Sequence, residues 1–279
     1  MRFLIRAAVL LLLTVSCTEN FLFDDEITPV NTRSVEGYVQ LRGETDHGGI
    51  YVYLEGFDVE TYTDAGGYFK LEIPQNPRLQ PGQGVDGAFY IWYYVDNYRL
   101  MNSLTLVRGG QFSYGHADIN DEGRLKKTVV LPKLLDITTS VSPERISEEF
   151  DGVLQVNMTL KNLTDSVYVN VLERKFHELG GVYLINNPDS SNIQFVRLEN
   201  AANRRVLVDS VQYWQMLVSR DSLPLFPGKY EVLPFVKLYH KGMPDVLREK
   251  FGSNASTFSR EFLNLPRKVS PALLTIGRR

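Results

Sequence analysis

The sequence predicts an all-β protein of two β-sandwich domains, set behind an N-terminal secretion segment. Three observations carry this expectation. Apolar residues recur at every second position through many short segments, the period of a half-buried strand. Gly, Pro, Asn and Asp cluster between those segments, where turn chemistry is needed. Only one stretch, PDVLREKF at 244–251, carries the spacing of a short helix.

The chain opens MRFLIRAAVLLLLTVSCTEN. Arg2 and Arg6 give a positive start, Ala7 to Leu13 an apolar middle, and Thr14 to Ser16 a small-residue stretch before Cys17. This is the pattern of a secretory signal over residues 1–16. The apolar run from Ala7 to Val15 falls well short of the ~20 residues a spanning helix needs. Cys17 is the sole cysteine, and its place directly after the small residues resembles a bacterial lipobox, although Thr14 stands where Leu is preferred. The resemblance implies that Cys17 carries the lipid and that the protein is a membrane-anchored lipoprotein. The chain then folds without disulfides, by burial alone.

Residues 17–34 are expected to form a lipidated tether. Asp24, Asp25 and Glu26 make a small acidic run there, read as a solvated linker rather than as a surface-export signal. Thr18 follows the cysteine, with no Asp to hold the protein at the inner membrane, so the expected location is the outer membrane, on its periplasmic or its outer face.

From Val35 the period is two. VEGYVQL, GIYVYLEG and GYFKLEIP each alternate apolar and polar residues. Asp64-Ala65-Gly66-Gly67 separates the last of these from the segment before it. Asp bonds its own backbone readily and Gly supplies positive φ, so TDAGG is expected to be a hairpin turn and not a catalytic loop. Thr61, Thr63, Asp64, Gly67, Phe69, Leu71, Ile73 and Pro74 fit T-x-T-D-x-x-G-x-F-x-L-x-I-P. Gly37, Val39, Gly49, Val52, Leu54 and Gly56 fit the opening that precedes it. The pattern resembles the carboxypeptidase regulatory-like domain, a small transthyretin-like β-sandwich that is an accessory and not a catalytic module. The resemblance covers about 40 residues and implies such a domain over 35–134.

Three features of this domain invite a functional reading. Gly82, Gly84 and Gly87 match G-x-G-x-x-G, but the stretch follows a loop and leads into a strand, the wrong context for a dinucleotide site. In FYIWYYVDNY, Tyr90, Trp92 and Tyr94 share one face. An exposed row of this kind stacks sugar rings or a protein partner. The alternative is a central strand covered on both faces, which most aromatic stripes are. In DINDEG, Asp118, Asn120 and Glu122 fall at the ligand spacing of a calcium loop, yet the twelfth position is Val129 where a bidentate Glu belongs. A plain Asx turn explains the same residues.

The second domain is placed at 135–279. Leu154 to Leu160 alternate, and KNLTDSVYV reads strand, turn, strand. Further strands are expected at 181–186, 193–198, 204–209, 211–218, 227–239 and 258–265. The run TLKNLTDSVYVNV followed by LPLFPGKYEV resembles an immunoglobulin-like envelope domain, a likeness at the level of fold that implies no function.

The chemistry expected of this chain is binding. The net charge is −3, without the basic footprint of a nucleic-acid binder. His47, His116, His177 and His240 form no H-E-x-x-H; HELGG at 177–181 lacks the second His. There is no G-x-S-x-G and no P-loop, and no cofactor is expected. The leading expectation is a lipid-anchored protein-binding or scaffold module of the envelope. A glycan-binding surface lipoprotein using Tyr90, Trp92 and Tyr94 is the second, and a hydrolase without a recognisable motif the third.

Overall fold

The computed structural model of the protein describes residues 33–73, 86–113, 117–120, 122–164, 166–187, 192–219, 222–223 and 226–277. Cys17 and the acidic run lie outside the described residues, as do Gly82, Gly84 and His116. The fold is all-β and sandwich-like, with one short helix among the described residues.

The N-terminal half holds β1 (Ser34–Leu41), β2 (Tyr51–Leu54), β3 (Val59–Tyr62), β4 (Tyr68–Glu72), β5 (Gly87–Tyr94), β6 (Met101–Arg108), β7 (Gln111–Ser113) and β8 (Val129–Leu131). They form one sheet in the order β4-β1-β8 and another in the order β3-β2-β5-β6-β7. The alternation read in the sequence sets the facing: Val35, Val39 and Leu41 of β1 and Phe69 and Leu71 of β4 turn inward, against Val52, Ile91, Tyr93 and Leu131. Each such side chain contributes about 1.5–3 kcal/mol by leaving water.

TDAGG is a turn, but not a hairpin. β3 pairs with β2, whereas β4 pairs with β1, so the turn carries the chain from one sheet to the other. Asp64 Oδ1 accepts from the Tyr68 N–H at 2.9 Å, and the Gly67 N–H donates to the Asp64 carbonyl at 2.9 Å. Gly67 has φ +85°, and a Cβ there would sit 2.2 Å from the Val39 carbonyl oxygen. The glycine is required because β1 passes directly over it.

The C-terminal half holds β9 (Leu135–Ser142), β10 (Arg145–Ser147), β11 (Val153–Asn162), β12 (Val167–Glu173), β13 (Gly181–Asn187), β14 (Ile193–Arg197), β15 (Ala202–Val208), β16 (Gln212–Ser219), β17 (Gly228–Pro234), β18 (Val236–Leu238), α1 (Asp245–Lys250) and β19 (Ala272–Gly277). Three sheets, β10-β19-β17-β13-β14, β16-β11-β9 and β15-β12-β18, enclose one core around Leu154, Val156, Trp214, Met216, Tyr230 and Leu274. Two expectations are corrected. The segment 227–239 is not one strand: at Phe235 the chain leaves β13 and joins β12. Residues 258–265 are not a strand either, but carry a 3-10 helix at Arg260–Asn264. Phe258 and Phe262 are four apart and both reach the Tyr183 ring, at 4.6 and 5.5 Å. Phe258 stands ahead of that helix, beyond the extended Ser259, so the two rings converge on Tyr183 from the lead-in and from the helix itself.

A third apolar cluster joins the two halves. Tyr51, Tyr53 and Tyr94 pack with Leu172, Tyr183, Phe235, Leu247, Phe251 and Phe262. As a result all four residues of β2 are buried. The expected half-buried alternation fails there because the chain around α1 covers the outer face of the sheet.

Candidate functional site

β5 places the predicted aromatic row. Tyr90 is exposed, and its ring lies 5.8 Å from that of Trp92. Trp92 is half-buried and donates from Nε1 to Glu55 at 2.9 Å. Tyr94 is fully buried, 4.9 Å from Phe251, and donates to Asp96 Oδ1 at 2.9 Å. Burial raises its pKa well above the usual phenol value. The row is therefore not an open platform: it runs from solvent at Tyr90 into the seam between the halves at Tyr94. A stack of several sugar rings has no access to the buried end.

Polar ties flank the aromatic seam. Lys250 Nζ reaches Asp58 at 2.6 Å and Glu60 at 3.1 Å, and these partners push its pKa up to about 12. Lys268 reaches Asp46 at 2.6 Å. The Asp96 N–H donates to the Pro266 carbonyl at 2.8 Å, and Asn97 Nδ2 to the Lys268 carbonyl at 3.0 Å. His240 Nε2 donates to the Asp96 carbonyl at 2.8 Å. Burial lowers the His240 pKa, so the ring is held neutral, although Asp96 pulls the other way. These groups are occupied in holding the halves together.

DINDEG folds as an Asx turn. Asn120 Oδ1 accepts from the Glu122 N–H at 3.1 Å and the Arg124 N–H at 2.9 Å. Asp118 Oδ2 accepts from the Leu104 N–H at 2.7 Å, and Glu122 pairs with Arg124 at 3.2 Å. Asp118, Asn120 and Glu122 are thus spent on the loop itself. Among the described residues no group of three or more His, Cys, Asp and Glu is placed to hold a metal ion. His47 Nδ1 accepts from the Leu41 N–H at 3.2 Å. His177 sits in a loop at φ +57°, stacked on the exposed Phe176 at 4.1 Å.

The open surface lies elsewhere, on the outer face of β16-β11-β9. Antiparallel register sets three cross-strand rows there: Tyr213, Thr159 and Thr138; then Gln215, Asn157 and Ser140; then Leu217, Gln155 and Ser142. Tyr213 is 72% exposed and Leu217 52%. Gln155 Nε2 and Gln215 Nε2 both donate to Asn157 Oδ1, at 2.9 and 3.3 Å. The rows carry amides, hydroxyls, one tyrosine and one leucine, and no charge. Along the strands the first charged residues in register, Lys161 and Asp136, stand beyond the Thr159 row, and at the β16 edge Glu178, paired with Arg174, bridges to Gln215. Sequence reasoning missed this face, although the alternation of one of its strands was legible: in QYWQMLVS the strand exposes Tyr213, Gln215, Leu217 and Ser219 and buries their neighbours.

Compared with known proteins, the chain matches no family model and no curated protein sequence.

Proposed function

We propose that the chain is a non-catalytic, lipid-anchored protein of a bacterial envelope that binds other envelope proteins through the outer face of β16-β11-β9. The face carries this reading. It joins an exposed Tyr and Leu to rows of uncharged amides and hydroxyls with charged residues only at their borders, and protein interfaces are depleted of charge and enriched in aromatics at their centre. The lipid at Cys17 would hold the body at the outer membrane, the tether at 17–34 spacing it from the bilayer. In this reading residues 35–134 are a carboxypeptidase regulatory-like, transthyretin-like sandwich and 135–279 an immunoglobulin-like one. The sheet-crossing turn at Asp64–Gly67 and the two packed sheets around it support the first assignment.

The test is a photo-crosslinking amino acid at position 213 in living cells. The expected result is a discrete adduct with an envelope protein that disappears in Cys17→Ser, which releases the chain from the membrane. An adduct at position 38, on the other half, with none at 213 would refute the face.

A second reading rests on the amide and hydroxyl rows, which suit a neutral glycan lying along the sheet with Tyr213 as its stacking ring. Affinity electrophoresis in neutral polysaccharide separates the two. Retardation lost in Tyr213→Ala supports the glycan; unchanged mobility in every polysaccharide removes it.

A further inference from the structure

Beside the seam, and apart from the face described above, the C-terminal half contains a cleft of about 310 Å³. β18 places Lys237 in its wall, and α1 with the turn that follows closes the other side. Met243, Phe251, Ala255 and Leu265 supply an apolar lining, each less than a tenth exposed. Asp245, Arg248, Glu249 and Ser253 stand at the exposed rim.

Lys237 is the unusual member. It is 7% exposed, and among the described residues its ammonium forms no hydrogen bond and no ion pair. Its positive charge acts on the neighbouring His240, which burial holds neutral and which offers it no counter-charge. The stem of Lys237 is buried, but its nitrogen is not among the described buried atoms that lack a partner, so the ammonium keeps an accessible side with its hydrogen-bonding capacity open to an anion. The acids of the cleft do not pair with it: Asp245 is paired with Arg248 on α1, and Glu249 stands exposed at the rim.

We propose that this cleft binds a small monocarboxylate with an apolar body, its carboxylate on the Lys237 ammonium. The apolar lining sets the character of the rest of the ligand. The charge count sets the anion: Lys237 and Arg248 are matched overall by Asp245 and Glu249, so a dianion such as phosphate meets two rim carboxylates and gains little. A monoanion seated on Lys237 completes a charge-assisted hydrogen bond without that repulsion.

Titration calorimetry of the whole soluble chain (residues 18–279) with octanoate, octanol and inorganic phosphate tests the proposal. Octanoate should saturate one site and bind at least about tenfold more tightly than octanol, the share of one charge-assisted bond. Phosphate should neither bind nor compete. Lys237→Met should bring octanoate down to the affinity of octanol. Ser253→Trp, an exposed rim change that spares the core, should block both ligands. Equal affinity for octanoate and octanol, competition by phosphate, or unchanged binding in Ser253→Trp would each overturn the site. The ligand comparison in the unaltered chain and the rim variant decide the matter even if Lys237→Met does not fold.

Discussion

Phe251 and Tyr94 lie 4.9 Å apart, ring to ring, although one follows α1 in the C-terminal half and the other ends β5 in the N-terminal half. Phe251 also meets Tyr51 at 5.0 Å, so a single phenyl ring wedges between two tyrosines of the other sheet. Phe251→Ala should therefore cost about 3–5 kcal/mol, the range for deleting a buried phenyl group. It should also split one denaturant transition into two, as the halves lose their common core. A single transition shifted by less than 1 kcal/mol would mean that the halves are coupled elsewhere.

Trp92→Ala separates a packed indole from a ligand platform. Trp92 is half-buried against the seam and bonded to Glu55, so its loss should lower stability by about 2–4 kcal/mol. Chemical denaturation measures this directly. A variant as stable as the parent would return the indole to the list of free surface groups.

The pH dependence at the seam follows from His240. Its folded pKa is lowered by burial, while the unfolded chain titrates near 6.5. Below that value the unfolded state takes up the proton first, so stability is full above about pH 6.5 and falls as the pH drops toward the folded pKa. Asp96, Lys237 and the Tyr94 ring surround the imidazole. Stability measured from pH 7 to pH 5 should decline more steeply in the parent than in His240→Gln, which keeps a donor for the Asp96 carbonyl. Parallel curves would assign the slope to other groups.

Gly67→Ala should be among the costlier small substitutions. The added methyl would meet the Val39 carbonyl at 2.2 Å in a backbone already at φ +85°, and strain of this kind costs on the order of 1–3 kcal/mol. Gly43→Ala makes the control: its φ is also positive, but its Cβ would meet nothing within 4 Å. Thermal melts should therefore rank Gly67→Ala below Gly43→Ala.

Tyr213→Ser should leave stability within about 0.5 kcal/mol, as exposed substitutions do, while abolishing capture of a partner by the outer face. Loss of both together would show that the ring supports the sheet rather than a partner.

How much of this was legible before the fold was seen depends on which neighbour decides each residue. Strands such as β1, β11 and β16 announce themselves because one face meets the core and the other meets water, and a period of two records that difference. β6 hides itself: Ser103 and Thr105 are buried while Leu104 and Leu106 are only half-buried, so its polarity runs against its facing. β2 and β5 show the limit from the other side. Tyr51, Tyr53 and Tyr94 read as an outer face because the sequence around them contains no sign of Phe251, which arrives from the far end of the chain. The TDAGG turn was legible in its chemistry and not in its direction, since Asp and Gly specify a reversal but not which strand comes next. The β16-β11-β9 face needed register: no linear reading aligns Gln215 with Asn157 and Ser140.

The position of β1 bears on how the body answers a pull. It is the first strand among the described residues, paired along Ser34–Tyr38 with β4 and along Val39–Leu41 with β8. Hydrogen bonds in these ladders run across the strand. Tension applied ahead of Ser34 and along β1 therefore loads both ladders in shear, many bonds at once, instead of peeling them one by one. A chain held by its N-terminal end would meet drag in this shear geometry, and single-molecule stretching along β1 should need more force than pulling the same strand sideways, away from its neighbours.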